Sequence, residues 1–373
     1  MQWSTVPLSE VIELQRGHDL PSDERREGTV PIIGSFGVTG FHDTARYRGP
    51  GVGIGRSGAS IGAATFVRED YWPLNTCLFV KDFKGNDPRW IYRLLDQIDF
   101  AAYNSGSAQP SLNRNFLRSI PVKLPPIFEQ QAIAEVLGAL DDKIAANTAL
   151  VATADALLAT EFRTRLHQTE VHDRELTAIA NVVLGGTPPR ARPDYWTDGT
   201  IPWLNSGAVN ATRIVEPSEL ITAEALANSA AKLMPNGATL LAITGATLGQ
   251  IARLEMTASG NQSIVGVWSD DVNVNTWLYF AIQARLDDLL ARATGAAQQH
   301  VSKGDVEQLA VPVPSQAVLE EFSSVATPLL ELAATAEREN RTLAATRDAL
   351  LPQLMSGKLR VRDAERVASE VGA

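Results

Sequence analysis

Apolar residues follow two different rhythms along this chain. Over residues 127–165, Leu137, Ile144, Val151 and Leu158 recur every seven positions, with Ile133, Leu140 and Ala154 between them. Near the end of the chain Phe322, Leu329, Ala336, Leu343 and Leu350 recur in the same way, with Val325, Leu332 and Leu354 between. Such a repeat predicts a coiled-coil seam, because 3.5 residues per turn keep one stripe facing a partner helix. Apart from Gly138 and Pro328, neither segment has a helix breaker in its middle. At 1.5 Å per residue the first helix would run roughly 60 Å, too long to bury its stripe alone. The stripes are narrow and polar-flanked, so the two helices are expected to pack on each other. Asn147 and Asn340 fall in or beside the seams. Each either fixes register or sits solvated at the edge.

The remaining chain reads as short strands. Val52-Gly53-Ile54-Gly55, Cys77-Leu78-Phe79-Val80 and Thr239-Leu240-Leu241-Ala242-Ile243 are brief apolar runs bounded by turn residues, the grammar of a compact α+β domain. Proline-punctuated extended chain, Ile120–Pro126 and Val311–Pro314, precedes each helical segment and marks a boundary. Both grammars occur twice, and matching blocks follow in the same order. Leu8, Ser9, Val11, Leu14 and Gly17 match Leu176, Thr177, Ile179, Val182 and Gly185. Ser57–Gly62 matches Thr244–Gly249, Ser105–Gln109 matches Thr294–Gln298, and Asp155–Leu158 matches Asp348–Leu351. The offset grows from 168 to 193, as loop insertions would make it. A period this long predicts two similar domains, not a solenoid. The parts expected are 1–126, 127–173 with a helix and linker, 174–314, and 315–373 with a helix and tail.

Composition narrows the function classes. Of 373 residues 45% are hydrophobic and 20% charged, which fits a folded chain and excludes a mostly disordered one. One cysteine, Cys77, excludes an intrachain disulfide and a CxxC metal site, and its apolar run predicts a buried, inert thiol. No signal-like start and no long apolar run is found, so a cytoplasmic protein away from membranes is expected. None of His18, His42, His167, His172 and His300 has metal-ligand spacing, and His167 and His172 are expected in a polar linker. No GxSxG elbow and no phosphate loop is found. The expectation is a non-catalytic chain that binds no cofactor or metal.

The repeated blocks offer binding chemistry instead. Arg56, Ser57 and Ser60 lie on a tight glycine turn whose backbone N–H groups can approach a phosphate, with a guanidinium able to fork onto phosphate or guanine. The second copy offers Thr244 and Thr247 but has Ile243 where the first has Arg56. Ser105, Gln109, Asn113 and Arg114 form an amide- and hydroxyl-rich stretch, and amides pair bidentately with adenine. Its counterpart carries Gln298, His300 and Lys303. Asn75, Thr187, Arg190, Asn205, Asn261 and Gln262 complete the candidates. The plain alternative for any one of them is a turn or cap that builds the repeat fold.

The ordered blocks carry a resemblance. Gly55–Gly62, Asn75-Thr76, Gly106–Leu112, Ile120–Pro126 followed by Glu129-Gln130-Gln131-Ala132-Ile133, and Leu140-Asp141-Asp142-Lys143-Ile144 resemble specificity (S) subunits of Type I restriction-modification systems. So do Gly186-Thr187-Pro188, Ile201-Pro202-Trp203 and the ending Leu350–Leu359. The resemblance implies two α+β target recognition domains, each reading half of a split double-stranded DNA site. It implies two long antiparallel coiled-coil helices that join them in a pseudo-two-fold repeat and dock two methyltransferase (M) subunits. On those helices Leu137, Leu140, Ile144, Asn147, Val151 and Leu158 would pack against Phe322, Leu329, Ala336, Asn340, Leu343 and Leu350. S-adenosylmethionine for adenine-N6 methylation would sit on the M partner. ATP and Mg would sit on an R partner where one exists. The competing class is a duplicated non-catalytic scaffold for protein or carbohydrate.

A net charge of -10 speaks against a nucleic-acid binder until it is divided. Residues 1–126 carry +1, 127–173 carry -5, 174–314 carry -4 and 315–373 carry -2. Most of the excess lies on the helical spacers, which leaves the first recognition domain able to show a local positive face.

Overall fold

The computed structural model describes residues 3–103, 111–295 and 299–361. The chain forms two compact units. Unit one comprises Met1–Ala145 and Arg341–Ala373, and unit two comprises Ala146–Asn340.

In unit one a four-stranded sheet runs in the order Glu13–Arg16, Cys77–Asp82, Gly51–Gly55, Ala64–Val67. A three-stranded sheet pairs Val38–His42 with Val30–Ile33 and, in parallel, Trp72–Pro73. Ser4–Pro7 and Pro121–Leu124 form a separate antiparallel ribbon. Strand Gly51–Gly55 is buried at every position. A Cβ at Gly51 would strike the Tyr71 ring, and one at Gly55 would strike the Ser35 and Ser60 carbonyls, so these glycines permit close approach. Helix Pro88–Asp96 starts where Asp87 accepts from the Trp90 N–H at 2.9 Å with Pro88 at its first position. It buries Trp90, Ile91 and Leu95 in the core.

Unit two repeats this plan with an extra edge strand in each sheet, Arg213–Ile214 in the larger and Leu233–Met234 in the smaller. Its main sheet runs Asn181–Leu184, Ile264–Trp268, Thr239–Ala242, Ile251–Leu254, with Arg213–Ile214 added at the edge. Ile201–Leu204 lies between Glu219–Ile221 and a parallel Ala258–Gly260. Val171–Glu175 pairs with Ala310–Pro314. Registers repeat as well. Val6 faces Val122 as Arg174 faces Val311, and Ile32 pairs with Trp72 as Trp203 pairs with Ser259.

Two long helices, Ile127–Gln168 and Gln316–Met355, pass through these units. In unit one Leu137 and Leu140 share a core with Leu343, Leu350 and Leu354, and Arg347 donates to Asp141 at 3.1 Å. In unit two Leu158 and Phe162 share a core with Phe322 and Ala326, and Asn147 donates to Glu339 at 2.7 Å. In unit two Asn147 meets Glu339 and Phe162 meets Phe322, numbers rising on one helix as they fall on the other, so the two helices run antiparallel there. Ile144, Val151 and Leu329 are half-buried, and Ala336 is buried.

Two sequence expectations change. Between the heptad positions of the second helix it is Ala326 and Ala333 that are buried, not Val325 and Leu332, and Leu332 is exposed. Hydrophobicity favours the larger side chains, but the buried face of this helix includes small alanines beside Leu330. The expected linker around His167 and His172 is also shorter than read. His167 lies on the helix and His172 in strand Val171–Glu175, leaving Thr169 and Glu170 between. That strand is polar and mostly exposed, held by backbone pairing to Ala310–Pro314, so no apolar alternation betrays it.

Candidate nucleic-acid interface

The glycine turn found twice in the sequence folds the same way twice. Ser57 has φ -145° and ψ 157°, and Thr244 has -146° and 150°. Gly58 and Gly245 then adopt φ 73° and 67°, and Gly62 and Gly249 φ 78° and 82°, the left-handed region that favours glycine. The Ser60 hydroxyl donates to the Ser57 carbonyl at 3.2 Å and that of Thr247 to the Thr244 carbonyl at 3.3 Å. These two hydroxyls therefore brace the turn. Ser57 bridges to Ser111 and Thr244 to His300, while the Leu112 N–H donates to the Arg56 carbonyl as that of Val301 does to Ile243.

In unit one the turn borders an open cleft of about 690 Å³ lined by Gln15, Arg16, His18, Asp19, Arg56, Asn113 and Arg114, among others. Sequence reasoning named Arg56, Asn113 and Arg114. It missed Gln15 and Arg16, which antiparallel pairing of Glu13–Arg16 with Cys77–Asp82 carries to this edge, and His18 and Asp19, which follow where His18 bridges in parallel to Leu74. A signal for them lay in the repeat. They flank Gly17, whose match is Gly185, and the side chains beside the two glycines differ. Asn113 caps helix Arg114–Leu117, its Oδ1 accepting from the Asn115 N–H at 3.0 Å. Arg56 donates to the Asn75 carbonyl at 3.2 Å, and Asn75 donates its amide N–H to the Asp19 carboxylate. Among the described residues no carboxylate pairs with Arg16, Arg56 or Arg114. Burial and the nearby Arg46 hold the His18 imidazole below its usual value, against the pull of Asp19. Its Nε2 lies 3.0 Å from the Tyr47 hydroxyl. A neighbouring cleft of about 320 Å³ adds Lys84 and Arg118 beside Arg114.

The corresponding edge of unit two is less cationic. By the repeat offsets Arg16, Arg56 and Arg114 become Leu184, Ile243 and Lys303, and Lys303 pairs with Glu307 at 2.8 Å. Thr187 donates to the Gln262 side-chain carbonyl at 2.6 Å. Asn261 accepts from the Ser263 N–H at 3.0 Å, a local turn. The Asn205 N–H donates to Ser218, and Asn205 itself is exposed. His300 exchanges backbone hydrogen bonds with Thr294. Arg190 stands apart from the turn. It is bidentate to Glu219 at 2.7 Å and stacked over Trp196 with 3.6 Å to the ring centre. Ser105, Gln109 and Gln298 lie outside the described residues.

The chemistry of this edge is that of hydrogen bonding and charge. Burial pushes the Cys77 thiol up to about 12, which makes it a poor nucleophile at neutral pH. Among the described residues no group of three or more His, Cys, Asp or Glu could hold a metal ion, and no helix is long and apolar enough to cross a membrane.

Comparison with known proteins gives a consistent answer. Residues 1–153 and 168–322 each match the family model for the Type I restriction modification DNA specificity domain. The chain is 26% identical over 151 residues to the Type I restriction enzyme EcoR124I/EcoR124II specificity subunit of Escherichia coli, a match covering 39% of this chain and 37% of that one. It is 25% identical over 285 residues to the Type I restriction enzyme MjaIX specificity subunit of Methanocaldococcus jannaschii, covering 70% of this chain and 65% of that one. The matches thus span less than two thirds of either relative. The crystal structure of a Type-I restriction-modification system S subunit from M. genitalium shares the fold, with a TM-score of 0.72, 17% identity, and coverage of 94% of this chain and 96% of that one. The alternative of an unrelated protein- or carbohydrate-binding scaffold is not favoured. With two copies of the domain matched over most of its length, the chain belongs to the Type I restriction-modification DNA specificity family.

Proposed function

We propose that this chain is the DNA-recognition subunit of a Type I restriction-modification complex, and that it is non-catalytic. Residues 1–126 and 174–314 act as the recognition domains, each reading one half of a split double-stranded DNA site. Residues 127–173 and 315–373 supply the spacer helices on which two methyltransferase subunits dock. Those subunits hold S-adenosylmethionine and methylate adenine at N6. An R subunit, in a restricting system, uses ATP and Mg to translocate and cut.

One observation supports this reading above the rest. The same glycine turn is built twice with matching backbone angles, yet it is surrounded by different side chains. A common scaffold with differing polar edges is what two readers of different half-sites need, since phosphate contacts position a protein and base-edge contacts specify sequence. Replacing residues 1–126 by the recognition domain of another family member, in cells carrying the cognate methyltransferase, tests it. Mapping methylated adenines should show one half of the site changed and the other kept. An unchanged methylation pattern would refute the reading.

A further inference from the structure

One juxtaposition recurs at equivalent places in the two units and is not explained by building the fold. Asp19 and Asn75 meet in unit one, and Thr187 and Gln262 meet in unit two. Asp19 and Thr187 are 168 residues apart, and Asn75 and Gln262 are 187 apart, the offsets that relate their surrounding strands. Backbone geometry agrees. The His18 N–H donates to the Pro73 carbonyl at 2.8 Å, and the Gly186 N–H donates to that of Gly260 at 2.7 Å. The Arg56 N–H donates to Thr76, and the Ile243 N–H to Ser263, at 3.1 and 2.9 Å. The pairs therefore occupy one position on one scaffold, on loops beside the glycine turn. Asp19 and Gln262 are exposed, while Asn75 and Thr187 are half-buried.

We infer that these two pairs are specificity-determining elements, in which Asn75 and Gln262 read a base edge while Asp19 and Thr187 hold the amides in orientation. An ionised carboxylate only accepts, so Asp19 obliges Asn75 to turn its NH2 group toward it. One N–H and the carbonyl oxygen of Asn75 remain for a ligand. In unit two the Thr187 hydroxyl takes one lone pair of the Gln262 oxygen, leaving its second lone pair and both N–H groups. Each amide thus keeps a donor beside an acceptor, the arrangement that pairs bidentately with N7 and N6 of adenine. Holding the amide before binding removes part of the ordering penalty. Asp19 and Thr187 act through their partners and are positioning residues.

This inference rests on the proposed DNA-reading function, and its test separates the two. The chain is produced with its methyltransferase partner, and methylated adenines are mapped genome-wide. A wild-type complex that marks no split site overturns the function itself. Given a split site, Asn75→Ala should relax one position in one half, with discrimination there falling about tenfold or more, and leave the other half intact. Gln262→Ala should do the same in the opposite half. Asp19→Asn and Thr187→Val should relax the same positions as their partners' variants, which a merely structural role would not produce. Should an alanine variant fail to assemble, the near-isosteric Asp19→Asn and Thr187→Val decide. An unchanged site in every assembled variant, or uniform weakening with no change in base preference, overturns the inference while leaving the function standing.

Discussion

Arg190 has the chemistry of a base reader, yet its guanidinium lies across Trp196 and is held at both ends by Glu219. Cation–π attraction and a bidentate pair reinforce one another because both need the same planar orientation. Arg190 holds the Glu219 carboxyl below the usual carboxylate range. The stabilisation from that shift is complete above the ordinary glutamate value and is lost as pH falls through the lowered one. The pair is largely exposed, so its contribution is at most about 1 kcal/mol. Glu219→Gln should lower the melting temperature at neutral pH by at most about 2 °C. That gap should close as the pH is lowered below the ordinary glutamate range and through the depressed Glu219 value. A gap that stays constant in thermal melts would mean that the carboxylate's charge is not what holds the arginine. The residue type marked Arg190 as a reader, but only three-dimensional proximity to Glu219, 29 positions away, identified its partner.

The long helices show which element-level features a sequence carries. A seven-residue period over dozens of residues placed the first helix at 127–165, and the fold gives Ile127–Gln168. Which neighbours of the heptad positions turn inward was not legible. Sequence patterning weighs hydrophobicity, whereas burial also depends on shape, and Ala326 and Ala333 are buried while Leu332 faces solvent. The turn blocks were legible because positive φ demands glycine at Gly58 and Gly245. The cleft beside them was only half legible, since Gln15 and Arg16 reach it through sheet pairing rather than through proximity in sequence. The packing predicts opposite responses at neighbouring positions. Leu332→Ala should change stability by no more than about 0.5 kcal/mol. Ala333→Leu should destabilise by about 1–3 kcal/mol through overpacking. Leu158→Ala, at a fully buried position, should cost about 2–5 kcal/mol. Urea unfolding would check all three, and a larger loss at Leu332 than at Ala333 would return the seam to the sequence-derived register.

At the scale of the whole chain the net charge of -10 has to coexist with the DNA binding we propose. The repeat locates the tension. Arg16, Arg56 and Arg114 gather on one cleft of unit one, and their counterparts in unit two are Leu184, Ile243 and Lys303, the last neutralised by Glu307. At this edge unit two therefore offers phosphate fewer free cations than unit one, and under the proposed function the chain alone should bind DNA weakly, with the proposed methyltransferase partners adding much of the phosphate attraction. Removing one phosphate-neutralising cation lowers the slope of log K against log salt by about 1, because one fewer counterion is released on binding. In the assembled complex on a duplex bearing both half-sites, Arg16→Ala and Arg56→Ala should each reduce that slope by up to about 1. Leu184→Ala and Ile243→Ala should leave it unchanged, and Lys303→Ala should alter it less than either arginine variant. Fluorescence anisotropy across a salt series gives the slopes directly. Equal salt dependence of variants in the two halves would show that the acidic domain finds its cations elsewhere. Tight, salt-sensitive binding by the isolated chain would instead place the phosphate attraction within this subunit, against the division of labour that its charge distribution implies.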